Sequence, residues 1–257
     1  MKKLVLAASV ATLLSASVQA DTLLGLYIGG HVWNAAAAGT FGEDDGQGNV
    51  VLQDFTLEDQ QQASFYVALE HPIPLIPNIK MSSTTLDTDG LTTLGNDFSF
   101  GDISFPADAS ANTTFNMGYI DYTLYYEILD NDLITFDIGI TARDFDGEIN
   151  VTTLNVDPQF SETVDVQAVI PMLYGSVIIG LPFTGFNIFA EGNMISYDGN
   201  SIHDYQVGVS YAVLDNLVVD LDVTLGYRSV KLDLEDLDDL YADLTFDGVY
   251  LGTIIHF

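Results

Sequence analysis

Four stretches of this chain sort their side chains into two rows by simple alternation. Along 133–143 the even positions are Ile134, Phe136, Ile138, Ile140 and Ala142, and the odd ones are Thr135, Asp137, Gly139, Thr141 and Arg143. Along 217–228, Val219, Leu221, Val223, Leu225 and Tyr227 oppose Asp220, Asp222, Thr224, Gly226 and Arg228. Ile120, Tyr122, Leu124, Tyr126 and Ile128 make a third apolar row, and Tyr205, Val207, Val209, Tyr211 and Val213 a fourth. Successive side chains point to opposite faces only in an extended strand. A soluble sandwich alternates in the same way. The polar row separates the two cases, because it carries small residues and mid-strand carboxylates, as a narrow lumen filled by side chains would.

The composition agrees. No uninterrupted apolar run after residue 20 reaches the ~20 residues of a membrane helix, yet 48% of residues are hydrophobic and the mean hydropathy is positive. Beyond residue 20 four bases (Lys80, Arg143, Arg228, Lys231) face 37 acids. That balance excludes a nucleic-acid partner, which needs a basic footprint, and disfavours docking onto anionic headgroups from the aqueous side. Thirteen Tyr and 15 Phe are too many for a disordered acidic chain. Charge and apolarity must therefore be segregated, and a chain of this kind crosses a membrane as strands of a closed barrel. There is no cysteine, so disulfides and thiolate metal sites are excluded.

Met1-Lys2-Lys3 is a basic n-region, Leu4 to Leu14 an apolar h-region, and Val18-Gln19-Ala20 a small-residue cleavage site. The expected division is a signal peptide over 1–20, cleaved after Ala20, and a barrel over 21–257. No cysteine follows the cleavage site, so the chain is not a lipoprotein.

The expected fold is an all-β, closed, antiparallel transmembrane barrel. Ten strands are read near 23–35, 61–71, 78–88, 113–128, 133–146, 164–181, 186–197, 202–214, 217–230 and 244–257, with eight or twelve as alternatives. Long acidic connections near 36–60, 89–112, 147–163 and 231–243, with a shorter one near 198–201, alternate with short turns such as Asp130-Asn131-Asp132 and Asp215-Asn216. Short periplasmic turns and long extracellular loops are the outer-membrane pattern.

The last nine residues place Val249, Leu251, Thr253, Ile255 and Phe257 on one face and Tyr250, Gly252, Ile254 and His256 on the other. Gly252, Ile255 and Phe257 resemble the C-terminal signal of bacterial outer-membrane barrels. The resemblance implies that this strand, with Tyr250, Gly252, Ile255 and Phe257, is read by the barrel assembly machinery. It should pair with 23–35, its even face in the lumen and its odd face in lipid. Deleting Phe257 should impair assembly, whereas replacing His256 should not. Gly25-Leu26-Tyr27-Ile28-Gly29-Gly30-His31-Val32-Trp33-Asn34, the Pro-rich turn after His71, the Leu129-Asp130-Asn131 turn and Phe257 together resemble an uncharacterised family of proteobacterial outer-membrane β-barrel proteins with a Gly-Gly pair near the N-terminus. This resemblance implies an outer-membrane barrel and no particular activity. Gly29-Gly30 within a strand permits a kink or close packing in a tight barrel.

The alternation aims Asp121, Asp137, Glu191, Asp220 and Asp222 inward, with Arg143 and Arg228 nearer the loop rim and Lys80 near the periplasmic end. At ~3.3 Å per residue Asp137 cannot reach Arg143 along one strand, so pairing must cross the lumen or join neighbouring strands. A lumen charge network of Asp121, Asp137, Arg143, Glu191, Asp220, Asp222 and Arg228 follows, serving a structural barrel or a narrow cation-favouring pore. Leu129-Asp130-Asn131, Asp137, Arg143 and Tyr126 recur 85 residues later as Leu214-Asp215-Asn216, Asp222, Arg228 and Tyr211. Shared hairpin rules explain this, as does duplication of a hairpin.

The remaining chemistry is sparse. His203-Asp204 near a loop raises a barrel-rim hydrolase as an alternative, although neighbouring residues of a strand face opposite ways. A secreted, soluble lipocalin-like binder is a further alternative, against which the outward Ile, Val and Tyr rows argue. Clusters at Glu43-Asp44-Asp45, Asp87 with Asp89, and Asp236 with Asp238-Asp239 could hold Ca²⁺ or Mg²⁺, but solvated loop charge is the simpler reading. The expectation is a monomeric, non-enzymatic barrel without cofactor. Its partners would be outer-membrane lipid, lipopolysaccharide and the assembly machinery.

Overall fold

The structure, a computed structural model, describes residues 24–257 except 45–47, 49, 132, 217–218 and 238–239. Residues 1–20, expected to form a signal peptide, lie outside the described residues. In chain order the strands are β1 (Gly25–Glu43), β2 (Gln53–Asp54), β3 (Gln60–Glu70), β4 (Asn78–Thr93), β5 (Phe98–Phe100), β6 (Ile103–Phe105), β7 (Ser110–Asp130), β8 (Ile134–Thr153), β9 (Ser161–Leu181), β10 (Phe186–Tyr197), β11 (Asn200–Leu214), β12 (Asp220–Leu237) and β13 (Leu240–His256).

Ten of these form a closed antiparallel barrel in the order β1-β3-β4-β7-β8-β9-β10-β11-β12-β13, and β13 returns to β1. The closing seam runs from Tyr27 opposite His256 to Glu43 opposite Leu240. The backbone hydrogen bonds of the spanning segment are thus made within the wall, which a lipid environment demands. Both ends of the barrel wall, Gly25 and His256, lie at one rim, here the near rim, where the strand ends Glu70, Asn78, Asp130, Ile134, Leu181, Phe186, Leu214 and Asp220 also lie.

The strands run further toward the far rim than alternation suggested. β1 continues to Glu43, β4 to Thr93 and β8 to Thr153, while β7 begins at Ser110 and β13 at Leu240. Most of 147–163 and 231–243, and the ends of 36–60 and 89–112, are therefore wall rather than loop. The cause is an inversion of face polarity. On β8 the outward row is Ile134, Phe136, Ile138, Ile140 and Ala142, then Asp144, Asp146, Glu148, Asn150 and Thr152. The inward row is Thr135, Asp137, Thr141 and Arg143, then Phe145, Ile149 and Val151. On β12 the outward row changes from Val223, Leu225 and Tyr227 to Ser229, Lys231 and Asp233, while Val230, Leu232 and Leu234 turn inward beyond Arg228. On β13 the outward apolar row ends at Val249, and Asp247, Thr245 and Asp243 follow it.

In the near half the exposed outward row from Ile134 to Ala142 rises ~20 Å at ~3.3 Å per residue and ~40° of tilt, close to the ~25 Å apolar band of an outer-membrane barrel. Tyr126 and Tyr211 lie at its near edge and Tyr205 and Tyr227 at its far edge, all four outward and exposed, as aromatic girdles do. The far half has a buried core instead. Phe41, Phe55, Phe98, Phe100, Phe105 and Phe115 are all at most 1% exposed. The β5–β6 hairpin delivers Phe98, Phe100 and Phe105 to it. Phe41 receives Phe55 in a stack at 4.8 Å and Phe100 edge-on at 5.6 Å. The neck of this inserted segment is closed by Leu94 N–H donating to the Ala109 carbonyl and Asp108 N–H to that of Leu94, both at 2.9 Å.

Candidate functional site

Below the apolar core the alternation brings charged side chains to one level of the lumen. Arg143 is fully buried. Its Nε donates to Asp121 Oδ1 at 2.8 Å and its Nη2 to Asp121 Oδ2 at 2.7 Å, a two-pronged pair made with the residue directly opposite it on β7. Nη2 also donates to Asp204 Oδ2 at 2.6 Å, across the bore. Arg228 donates to the same carboxylate from the other side, at 3.0 Å from Nε and 2.8 Å from Nη2. The Tyr119 hydroxyl donates to Asp204 at 2.8 Å and accepts from Arg228 Nη2 at 2.9 Å. The Arg143 guanidinium lies 3.7 Å from the Tyr119 ring centroid and that of Arg228 5.4 Å from the Trp33 ring, at distances where ring faces attract cations. Two arginines and two aspartates neutralise one another, and a planar guanidinium forked onto carboxylates is the arrangement that best offsets loss of water.

The topology makes this tier a crossbar. In a ring of ten strands, β12 and β7 are five steps apart in either direction, so Arg228 and Tyr119 meet from opposite walls.

The offset of 85 reappears here. Glu127/Leu129 on β7 and Ala212/Leu214 on β11 flank a register irregularity at matching repeat positions. Tyr119 and Asp204, again 85 apart, are hydrogen-bonded to each other. The two hairpins thus supply complementary halves of one cluster.

Between this tier and the near rim lies a vestibule of about 370 Å³. Lys80 pairs there with Glu191 and lies 4.5 Å from the Tyr66 ring centroid and 5.7 Å from that of Tyr174. Gly29 sets the Tyr66 ring, since a Cβ on Gly29 would stand 2.3 Å from Tyr66 Cε1. On the other face a Cβ on Gly30 would stand 2.7 Å from Phe65 Cδ1. The Gly-Gly pair therefore lets an aromatic ring lie over the wall on each side.

The seven lumen residues named from sequence separate into groups. Asp121, Arg143 and Arg228 join in the crossbar. Asp137, Glu191 and Asp222 line the vestibule, and Asp220 sits at the near rim, 3.5 Å from His256 Nδ1. Tyr250 and Gly252 face inward and are buried, Ile255 is half-buried, and Phe257 is exposed on the outer face. His256 stacks flat on Tyr27 at 4.1 Å.

Sequence reasoning missed the centre of the crossbar, Asp204, together with Tyr119. The inward row of β11, opposite Tyr205, Val207 and Val209, already pointed to Asp204. His203 projects outward and is exposed, beside Lys231 in register, so the wall separates it from Asp204 and the proposed hydrolytic pair does not assemble.

The acidic clusters are spoken for in part. Glu43 accepts from Gly101 N–H at 2.5 Å, Asp44 from Gly48 N–H at 3.0 Å, and Asp89 from Gln60 and Thr114. Among the described residues no three His, Asp or Glu groups converge as a metal site would require. Asp45, Asp238, Asp239 and the side chain of Asp236 lie outside the described residues.

No family model matches the sequence, and no curated protein does either. Among solved structures the fold is similar to that of the outer membrane protease OmpT from Escherichia coli, with TM-score 0.54, 10% identity, and coverage of 95% of this chain and 99% of that one. The translocator domain of the autotransporter NalP from Neisseria meningitidis aligns at TM-score 0.46 and 9% identity over 99% of this chain and 95% of that one. At such identities the OmpT likeness is one of fold: the chain has the architecture of an outer-membrane β-barrel.

Proposed function

We propose that this chain is an integral outer-membrane β-barrel with a structural role, its lumen held shut by the Arg143–Asp204–Arg228 crossbar and the aromatic core above it. The observation that carries the reading is the 2.9 Å contact between Arg228 and Tyr119 from opposite walls. A hydrated path for ions would have to part those groups and then displace Phe41, Phe100 and Phe115. The continuous outward apolar belt supports a membrane location. In this reading the near rim faces the periplasm and the acid-coated far half projects outward beside lipopolysaccharide, with a signal peptide cleaved after Ala20 providing export. The reading takes the barrel as a monomer once the assembly machinery has inserted it. The reading assigns it no catalytic role and no cofactor.

Reconstitution into potassium-loaded liposomes tests this. Efflux should match that of protein-free vesicles. Sustained cation-selective efflux would replace the closed barrel with the narrow cation-favouring pore that the acidic vestibule favours. Release from envelopes only by detergent, together with heat-modifiable migration on gels, is expected of the membrane location.

A further inference from the structure

The vestibule has features that a shut barrel does not use. Glu70, Glu127, Asp130, Asp137, Glu191 and Asp222 line it against one lysine, Lys80. Glu127 and Asp137 stand directly opposite each other on β7 and β8, where like charges repel. A second observation is independent of this charge. Asp137 Oδ1 and the Tyr250 hydroxyl, on side chains from β8 and β13, have no hydrogen-bond partner, although the residues are only 6% and 2% exposed and both line the cavity. Buried polar atoms without protein partners cost free energy, so a ligand that supplies their hydrogen bonds gains by binding here.

The chemistry of such a ligand can be read from the wall. The carboxylates do not converge on one point as a metal ion requires. They are spread along the cavity, as suits a cation whose charges are separated. Lys80 displays the mode of recognition, its primary ammonium paired to Glu191 and set between Tyr66 and Tyr174. Further tyrosines, Tyr27, Tyr125 and Tyr250, line the same cavity. A volume of about 370 Å³ corresponds to roughly a dozen waters, which is room for a short aliphatic polyamine.

We propose that the vestibule binds a small, flexible organic cation carrying two or more amines, entering from the near rim. Asp137 takes one ammonium, the Tyr250 hydroxyl on the opposite wall accepts from another, and the chain between them lies across the cavity beside Glu127. Binding does not require conduction, so its failure would leave the closed-barrel reading standing.

Calorimetric titration of the folded barrel in detergent micelles with spermidine tests the proposal. A single saturable site is expected. Asp137→Asn and Glu127→Gln should each weaken it by about tenfold, while Asp146→Asn on the outer wall leaves it unchanged. Heat-modifiable migration identifies variants that remain folded. Magnesium chloride at equal charge should not displace spermidine. The proposal is overturned by absence of saturable heat, by equal weakening in Asp146→Asn, or by displacement with magnesium.

Discussion

On β8, lipid-facing Ile138 and water-facing Glu148 stand on the same side of one strand, and inward Asp137 and Ile149 on the other. The near half of the barrel is apolar outside and charged inside, and the far half is the reverse. Backbone geometry and alternation do not change between them; only the surroundings do. The near half presents Ile, Val, Leu and Tyr outward, so its apolar surface leaves water only when lipid covers it. The far half buries its phenylalanines within the wall, as a soluble domain does. The crossbar stands where the two regimes meet, between the aromatic core and the vestibule. There the solution is mutual neutralisation of Arg143, Arg228, Asp121 and Asp204.

The largest effect should come from disturbing that junction. Arg143→Ala leaves two buried carboxylates to one guanidinium and should cost ~3–5 kcal/mol, read by denaturant unfolding in micelles. Arg143→Lys retains the charge but loses the forked contact with Asp121, and should fall between wild type and Arg143→Ala.

Phe41→Ala, which removes the ring shared by Phe55, Phe100 and Phe115, should cost ~3–4 kcal/mol. Because that core is internal, the loss should be similar in micelles and in bilayers. If it varied strongly with the surrounding amphiphile, the far half would not be an autonomous core.

The outer faces give a paired test. Ile138→Lys in the middle of the lipid-facing row should destabilise the barrel in bilayers by ~2–4 kcal/mol. Glu148→Lys on the same strand and face should change stability by less than ~0.5 kcal/mol. Equal costs at both sites would erase the distinction between the halves.

The seam should respond least. His256→Ala removes the stack on Tyr27 and should cost ~0.5–1.5 kcal/mol of stability. Assembly assays of His256→Ala beside a Phe257 deletion should show the defect only in the deletion.

The near half was legible in the sequence because its two rows differ sharply in polarity. Ile134 to Ala142 against Thr135 to Arg143 revealed strand, facing and the charged lumen together, and the terminal row to Phe257 revealed the seam. The far half was not, because Asp144, Asp146 and Glu148 resemble a solvated loop when the inward partners Phe145, Ile149 and Val151 are not recognised as a core. The inserted β5–β6 hairpin was hidden for another reason. Its strands are three residues long, too short for periodicity, and their burial depends on Phe41 and Phe115, distant in sequence. Asp204 was obscured by its neighbour, since His203-Asp204 suggests chemistry between side chains that the strand sends to opposite faces.

The inversion of polarity can be measured along one strand. The chain has no cysteine, so single cysteines at Ile138, Ala142, Asp144 and Asp146 can each carry an environment-sensitive fluorophore in reconstituted bilayers, exposed in turn to a lipid-borne and a water-soluble quencher. Labels at 138 and 142 should be quenched from the lipid and those at 144 and 146 from water, with the crossing at the level of Arg143. Quenching of all four from water, or of all four from lipid, would contradict the account.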